Sequence, residues 1–143
     1  IHDLSKFSPT EFIPGVRYYQ GFRSPNVGER DDLGVSYAWM HHKGRNKHHF
    51  EYWTDYSKET KEYVPVPMPR KYVIEMFCDR VAACKTYMKD KYTDRSALDY
   101  YMKRRDHRHM HPETAALLEE LLNMLAERGE DETFRYIRGS LRR

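Results

Sequence analysis

The sequence predicts an all-α protein, a helical bundle carrying one extended proline-rich loop, and three observations lead there. Apolar residues recur at helical spacing over Leu118, Leu121, Leu122 and Leu125. A long stretch from Tyr72 to Met88 is rich in Met, Ala and Cys and holds neither Gly nor Pro, as a buried helix requires. From Phe50 to Met68 the pattern changes to aromatic and β-branched residues, broken by Pro65, Pro67 and Pro69. Prolines remove backbone donors, so that segment reads as an extended loop or a short irregular hairpin.

The elements follow in order. Ser8-Pro9-Thr10-Glu11 has the form of a capping box with proline at the first helical position, which predicts a helix from about Pro9 to Phe22, bent near Pro14-Gly15. Arg23 to Arg30, with Ser-Pro-Asn and a glycine, reads as a loop. Asp31 or Asp32 then caps a helix carrying Leu33, Val35, Tyr37, Trp39 and Met40 and ending at Gly44. After the Tyr72–Met88 helix, Thr93 or Asp94 caps a shorter one through Leu98, Tyr100, Tyr101 and Met102. Pro112-Glu113 opens the amphipathic helix, Gly129 closes it, and a last helix covers Asp131 to Arg138.

The chain has 143 residues, the size of one domain with one core. Basic residues number 25 against 22 acidic, so the formal charge of +3 is small and mixed, and nucleic acid is not indicated by charge. Cys78 and Cys84 fall in one expected helix, roughly 9 Å apart along its axis, beyond disulfide reach. They read as reduced thiols of a cytoplasmic protein. With no apolar run of membrane-spanning length and no leader at its start, the chain is expected to be soluble and unexported. Residue 1 is Ile and the first motif starts at residue 2, so the native N-terminal helix is expected to lie upstream of this sequence.

Three groups carry chemistry. His2-Asp3 sets an imidazole beside a carboxylate, both good ligands for zinc, manganese, iron or nickel. Adjacent residues on a helix diverge by about 100°, so both serve one ion only near a helix end. Asp79 sits in the middle of the most apolar helix, where a carboxylate is paired or coordinated. His41-His42 and His48-His49 bracket a basic turn, Gly44-Arg45-Asn46-Lys47, as a ligand-bearing turn does. His42 and His48 are the expected ligands, one from each pair, with His41 and His49 as their alternates. By contrast, His107, His109 and His111 are spaced by two in a polar run and read as a solvated linker.

These groups in this order resemble the HD superfamily of helical metal-dependent phosphohydrolases. His2-Asp3-Leu4-Ser5-Lys6 is similar to the His-Asp-x-x-Lys form of its cyclic-dinucleotide phosphodiesterase and inositol-oxygenase-like branches, and Cys78-Asp79-Arg80-Val81-Ala82-Ala83 to the helix holding the last ligand. The His pairs resemble the extra histidines that let some branches hold two metals. The stretch from His2 to Asp79 also resembles an uncharacterised bacterial and phage family with the same His-Asp-Leu-Ser-Lys start. The superfamily's upstream His has no counterpart here, and the glycine-rich signature of the cyclic-dinucleotide branch is missing after the His pair.

The resemblance implies one or two divalent ions (Mn, Fe, Zn, Ni, Co or Mg) held by His2, Asp3, His42, His48 and Asp79. It implies attack of activated water on a small phosphorylated or nucleotide substrate. Asp3 and Lys6 are the expected catalytic residues, and Lys6, Arg45, Lys47 and Arg70 the expected phosphate-binding ones. A di-iron oxygenase of the inositol-oxygenase type is the alternative enzyme. The other alternative is a non-enzymatic binding module built on Tyr52, Trp53, Tyr56, Tyr63 and the basic turn.

Overall fold

The computed structural model describes residues 2–105 and 109–140 and is mainly helical. The chain divides into two compact units, Ile1–Tyr52 and Trp53–Arg143.

In the first unit, Leu4–Phe7 is a single 3-10 turn entered from Asp3, whose backbone is left-handed (φ 57°, ψ 29°). Asp tolerates that conformation better than most residues because its short polar side chain offsets the Cβ crowding. Helix α1, Pro9–Arg17, has proline at its first turn and Pro14 inside. It stops five residues short of the expected Phe22. Tyr18 leaves the helix there and donates its hydroxyl to Asp32 Oδ2 at 2.6 Å.

The segment read as a loop from Arg23 holds helix α2, Pro25–Leu33, capped by Ser24, whose hydroxyl accepts from the Asn26 amide. Gly34, at φ 77°, ends it. Helix α3, Tyr37–Lys43, is capped by Ser36, whose Oγ accepts from the Trp39 amide. The single helix expected from Asp31 to Gly44 is therefore two, because Gly34 supplies a left-handed C-terminal stop. At the junction, buried Glu29 accepts from Ser36 Oγ at 2.6 Å and from the Ala38 amide at 3.3 Å. Helix α1 packs against both α2 and α3, and a 3-10 turn, Phe50–Tyr52, follows the second His pair.

In the second unit, strands β1, Thr54–Tyr56, and β2, Tyr63–Pro65, form an antiparallel hairpin in the register Thr54↔Pro65 and Tyr56↔Tyr63. Of the two readings of this segment, extended loop and short hairpin, the structure shows the hairpin. The Met68 amide donates to Thr114 Oγ1 at 2.9 Å, anchoring the proline-rich run. Helix α4, Arg70–Met88, packs on α5, Ser96–Met102, and on α6, Pro112–Ser140. Their core is Val73, Phe77, Leu118, Leu121, Leu122 and Leu125, all fully buried. The burial expected of α4 holds for its first half, through Val81; from Lys85 to Met88 the side chains are exposed.

Helix α6 breaks at Gly129 (φ 79°, ψ 175°), where the sequence places the boundary between two helices. Of the three spaced histidines, His109 is exposed, His111 Nδ1 accepts from the Glu113 amide at 3.3 Å, and His107 lies outside the described residues. Cys78 and Cys84 are free thiols, and burial pushes both up from the ordinary thiol range. No helix among the described residues is long and apolar enough to cross a membrane.

Candidate metal centre

The first unit gathers His42, His48 and His49 around the Asp3 carboxylate. Asp3 is buried, and its two oxygens have different surroundings. Oδ2 pairs with Lys6 Nζ at 2.5 Å and lies 3.2 Å from His2 Nε2. Oδ1 lies 3.5 Å from His42 Nε2 and 3.4 Å from His48 Nε2, and it accepts no hydrogen bond among the described residues. The 3-10 turn makes this division possible, because the Lys6 amide closes on the Asp3 carbonyl at 3.0 Å and brings the ammonium to the outer oxygen. Burial pushes the Asp3 carboxyl up, but the hydrogen bond and charge of Lys6, with the charges of His42 and His2, outweigh it and hold the group below its ordinary range.

One donor atom from each of Asp3, His42, His48 and His49 lies within 4.8 Å of all the others. Ligands roughly 2.1 Å from a tetrahedral cation stand about 3.4 Å apart, which is the spacing from Asp3 Oδ1 to the two imidazole nitrogens. A buried carboxylate oxygen with no hydrogen bond, faced by imidazoles at ligand spacing, fits a cation with nitrogen and oxygen preferences.

The rings are held from several sides. His48 and His49 lie 4.1 Å apart by ring centroid, and His49 meets the edge of Trp39 at 4.8 Å. Asn46 Nδ2 donates to the His42 carbonyl at 2.8 Å and to Ser5 Oγ at 2.7 Å, which ties the turn between the pairs to the 3-10 turn after Asp3.

Glu11, read from sequence as the capping partner of Ser8, is turned inward instead. Its Oε1 lies 2.6 Å from His41 Nδ1 and its Oε2 2.7 Å from His42 Nδ1. Ser8 makes no side-chain cap bond. Burial pushes the Glu11 carboxyl up, and hydrogen bonds from His41, Ser5 and His42 together hold it below its ordinary range. The pattern Ser-x-x-Glu signals a cap, and nothing local distinguishes a glutamate that leaves it. Ser5, Asn46 and Trp39 were likewise given no role by the sequence, although each lies in or beside a quoted motif.

The other expected residues have different settings. His2 is exposed, with its ring 4.5 Å from that of His48. His41 turns toward Glu11 and stands outside the His42 and His48 set. Arg45 and Lys47 are exposed on the turn, Lys47 Nζ 6.0 Å from the Tyr52 ring centroid. Arg70 is exposed as the first residue of α4, and Asp79 is half-buried on the same helix, both in the second unit.

Fold and site together define a mainly helical protein with a buried cluster of histidines around a carboxylate. The chain belongs to a family of unknown function (DUF5662), whose profile matches residues 1–124. No curated protein and no solved structure matches it. The matched segment contains every residue of the cluster.

Proposed function

We propose that the protein is a metal-dependent phosphohydrolase of HD-like design, acting on a small phosphoester or nucleotide. The observation that supports it is the spacing of Asp3 Oδ1 from His42 Nε2 and His48 Nε2, 3.5 and 3.4 Å, with His49 close by. Asp3, His42 and His48 would hold a divalent ion, with His49 as a fourth donor and His2 as a neighbour. Asp79 is proposed as a further ligand on its sequence setting alone.

A bound divalent cation supplies Lewis acidity, which ionises water near neutral pH and polarises a phosphoryl oxygen. Three imidazoles and a carboxylate suit zinc, iron, cobalt or nickel better than magnesium, which prefers oxygen ligands. Lys6 holds Asp3 as an anion, and its exposed ammonium is placed to meet a phosphate oxygen as a point charge. Arg45 and Lys47, exposed on the turn between the His pairs, add positive charge on the same unit, and Arg70 is proposed on charge alone. A carboxylate held below its ordinary range is a good ligand and a weak base, so Asp3 serves binding better than proton abstraction.

The experiment is reconstitution of the metal-free chain with Zn, Mn, Co, Ni, Fe or Mg, followed by assays on p-nitrophenyl phosphate, its bis ester and nucleotides. Turnover is expected with the transition metals. A full metal complement with no turnover on any of these would sink the hydrolase reading. A pair of iron ions per chain with visible absorption would favour an oxygenase instead.

A further inference from the structure

We infer that Glu11 is the positioning residue of this cluster: its carboxylate fixes the His42 ring with hydrogen on Nδ1 and so turns the Nε2 lone pair toward the cation site. The inference rests on the metal-binding reading above and adds the group that sets the affinity.

Glu11 lies in the first turns of α1, buried, with one oxygen for each imidazole of the first His pair: Oε1 for His41 Nδ1 at 2.6 Å and Oε2 for His42 Nδ1 at 2.7 Å. An ionised carboxylate only accepts hydrogen bonds, so both Nδ1 atoms carry hydrogen. A neutral imidazole protonated there has its lone pair on Nε2, the His42 atom that stands 3.5 Å from Asp3 Oδ1.

The other groups near His42 Nδ1 do not set this tautomer. Asn46 Nδ2, at 3.2 Å, is itself a donor and already serves Ser5 Oγ and the His42 carbonyl. Ser5 Oγ, at 3.3 Å, is a longer and weaker acceptor than the carboxylate. His41 completes the arrangement from the far side, because its bond to Oε1 stops the carboxylate from rotating away. Nor is Glu11 held at the helix start, since Ser8 makes no side-chain cap bond.

A carboxylate behind a ligating histidine raises the basicity of the ligand nitrogen and fixes its direction, and losing such a partner typically costs about 10–100-fold in metal affinity. Glu11→Gln keeps the length and shape of the side chain. It leaves one neutral acceptor oxygen, weaker than the carboxylate toward either ring, and turns an amide N–H toward the other imidazole, so His42 loses its charged partner in either orientation.

The test has two arms on the full chain. In uniformly ¹⁵N-labelled, metal-free wild type at pH 8, long-range ¹H–¹⁵N correlation should find His42 protonated on Nδ1. In Glu11→Gln, Zn(II) affinity measured by chelator competition should fall about 10–100-fold, and the visible spectrum with Co(II) should change, while helical circular dichroism stays that of wild type. The Nε2–H tautomer at His42 in wild type would overturn the inference. So would a folded Glu11→Gln that binds Zn(II) as tightly as wild type. If the variant does not fold, the wild-type tautomer decides. A wild type that takes up no Zn(II) but shows the Nδ1–H tautomer would remove the metal reading and leave Glu11 as the residue that sets the ring.

Discussion

Asp3 Oδ1 stands 3.4 Å from His48 Nε2, with both side chains buried, while the second Asp3 oxygen is paired with Lys6. One carboxylate thus faces a cation of the chain on one side and imidazole nitrogens on the other. The two residues are far apart in sequence, and the fold brings them together.

If His42 and His48 are ligands, removing either should abolish tight binding. His42→Ala and His48→Ala are each expected to lose more metal affinity than the roughly 100-fold upper range seen for partners behind a ligand. His41→Ala, which leaves Asp3, His42 and His48 in place, should lose less. Zinc content after dialysis against a weak chelator measures all three. Equal retention in His42→Ala and wild type would remove His42 from the site.

Asp3→Asn tests charge apart from shape. Asn also tolerates the left-handed backbone at this position (φ 57° in Asp3), and the Lys6 partner is largely exposed, so a stability change within about 1 kcal/mol is expected. Metal binding should nevertheless collapse. Asp3→Ala should lose the metal equally and cost roughly 1–2 kcal/mol more through backbone strain. Urea unfolding of the metal-free variants separates these contributions.

Glu11 and Asp3 give the metal-free protein an acid-sensitive stability. Both carboxyls are held below their ordinary range in the folded chain. Their contribution is therefore fully present above the unfolded carboxyl pKa of about 4 and is lost as pH falls through the lower folded values. The unfolding free energy should drop from roughly pH 5 downward. Glu11→Gln should make the decline shallower. An unchanged slope in that variant would show that Glu11 is not held low.

Asp79, on α4 of the second unit, carries a sequence expectation of its own. Asp79→Asn removes the charge and keeps the shape, and on the proposed ligand role its metal content should fall as it does in His2→Ala or Asp3→Ala. A variant that keeps its metal but unfolds at lower urea would instead make Asp79 a structural partner of a cation.

Gly129 should be critical to the second unit alone. Its φ of 79° disfavours any Cβ, and one built there would sit 3.4 Å from Asp94 Oδ2. Gly129→Ala is expected to cost roughly 1–2 kcal/mol with zinc binding unchanged. Thermal unfolding with and without zinc checks both parts.

The sequence by itself determined much that is local. Helical periodicity and the absence of breakers placed α4 and the first part of α6, prolines marked the segment that holds the hairpin, and Gly129 marked the break in α6. The Ser24-Pro25 start of α2 and the Gly34 stop were equally local signals, misread because the neighbouring residues resembled a loop. Residue type and spacing, together with the resemblance they carry, singled out His2-Asp3 and the two His pairs as chemistry-bearing. Which nitrogen faces which oxygen was decided only in three dimensions. Glu11 and His42 are 31 residues apart, and no periodicity relates them. A Ser-x-x-Glu pattern satisfies a helix start or, as here, two distant imidazoles, and the choice depends on α1 packing against α3. Likewise, the separation of His42, which faces Asp3, from His41, which faces Glu11, follows from where adjacent helical side chains point once that packing is made. Short-range preferences specify the segments, and the convergence of donors on Asp3 Oδ1 is a product of long-range burial, which the order of residues does not display.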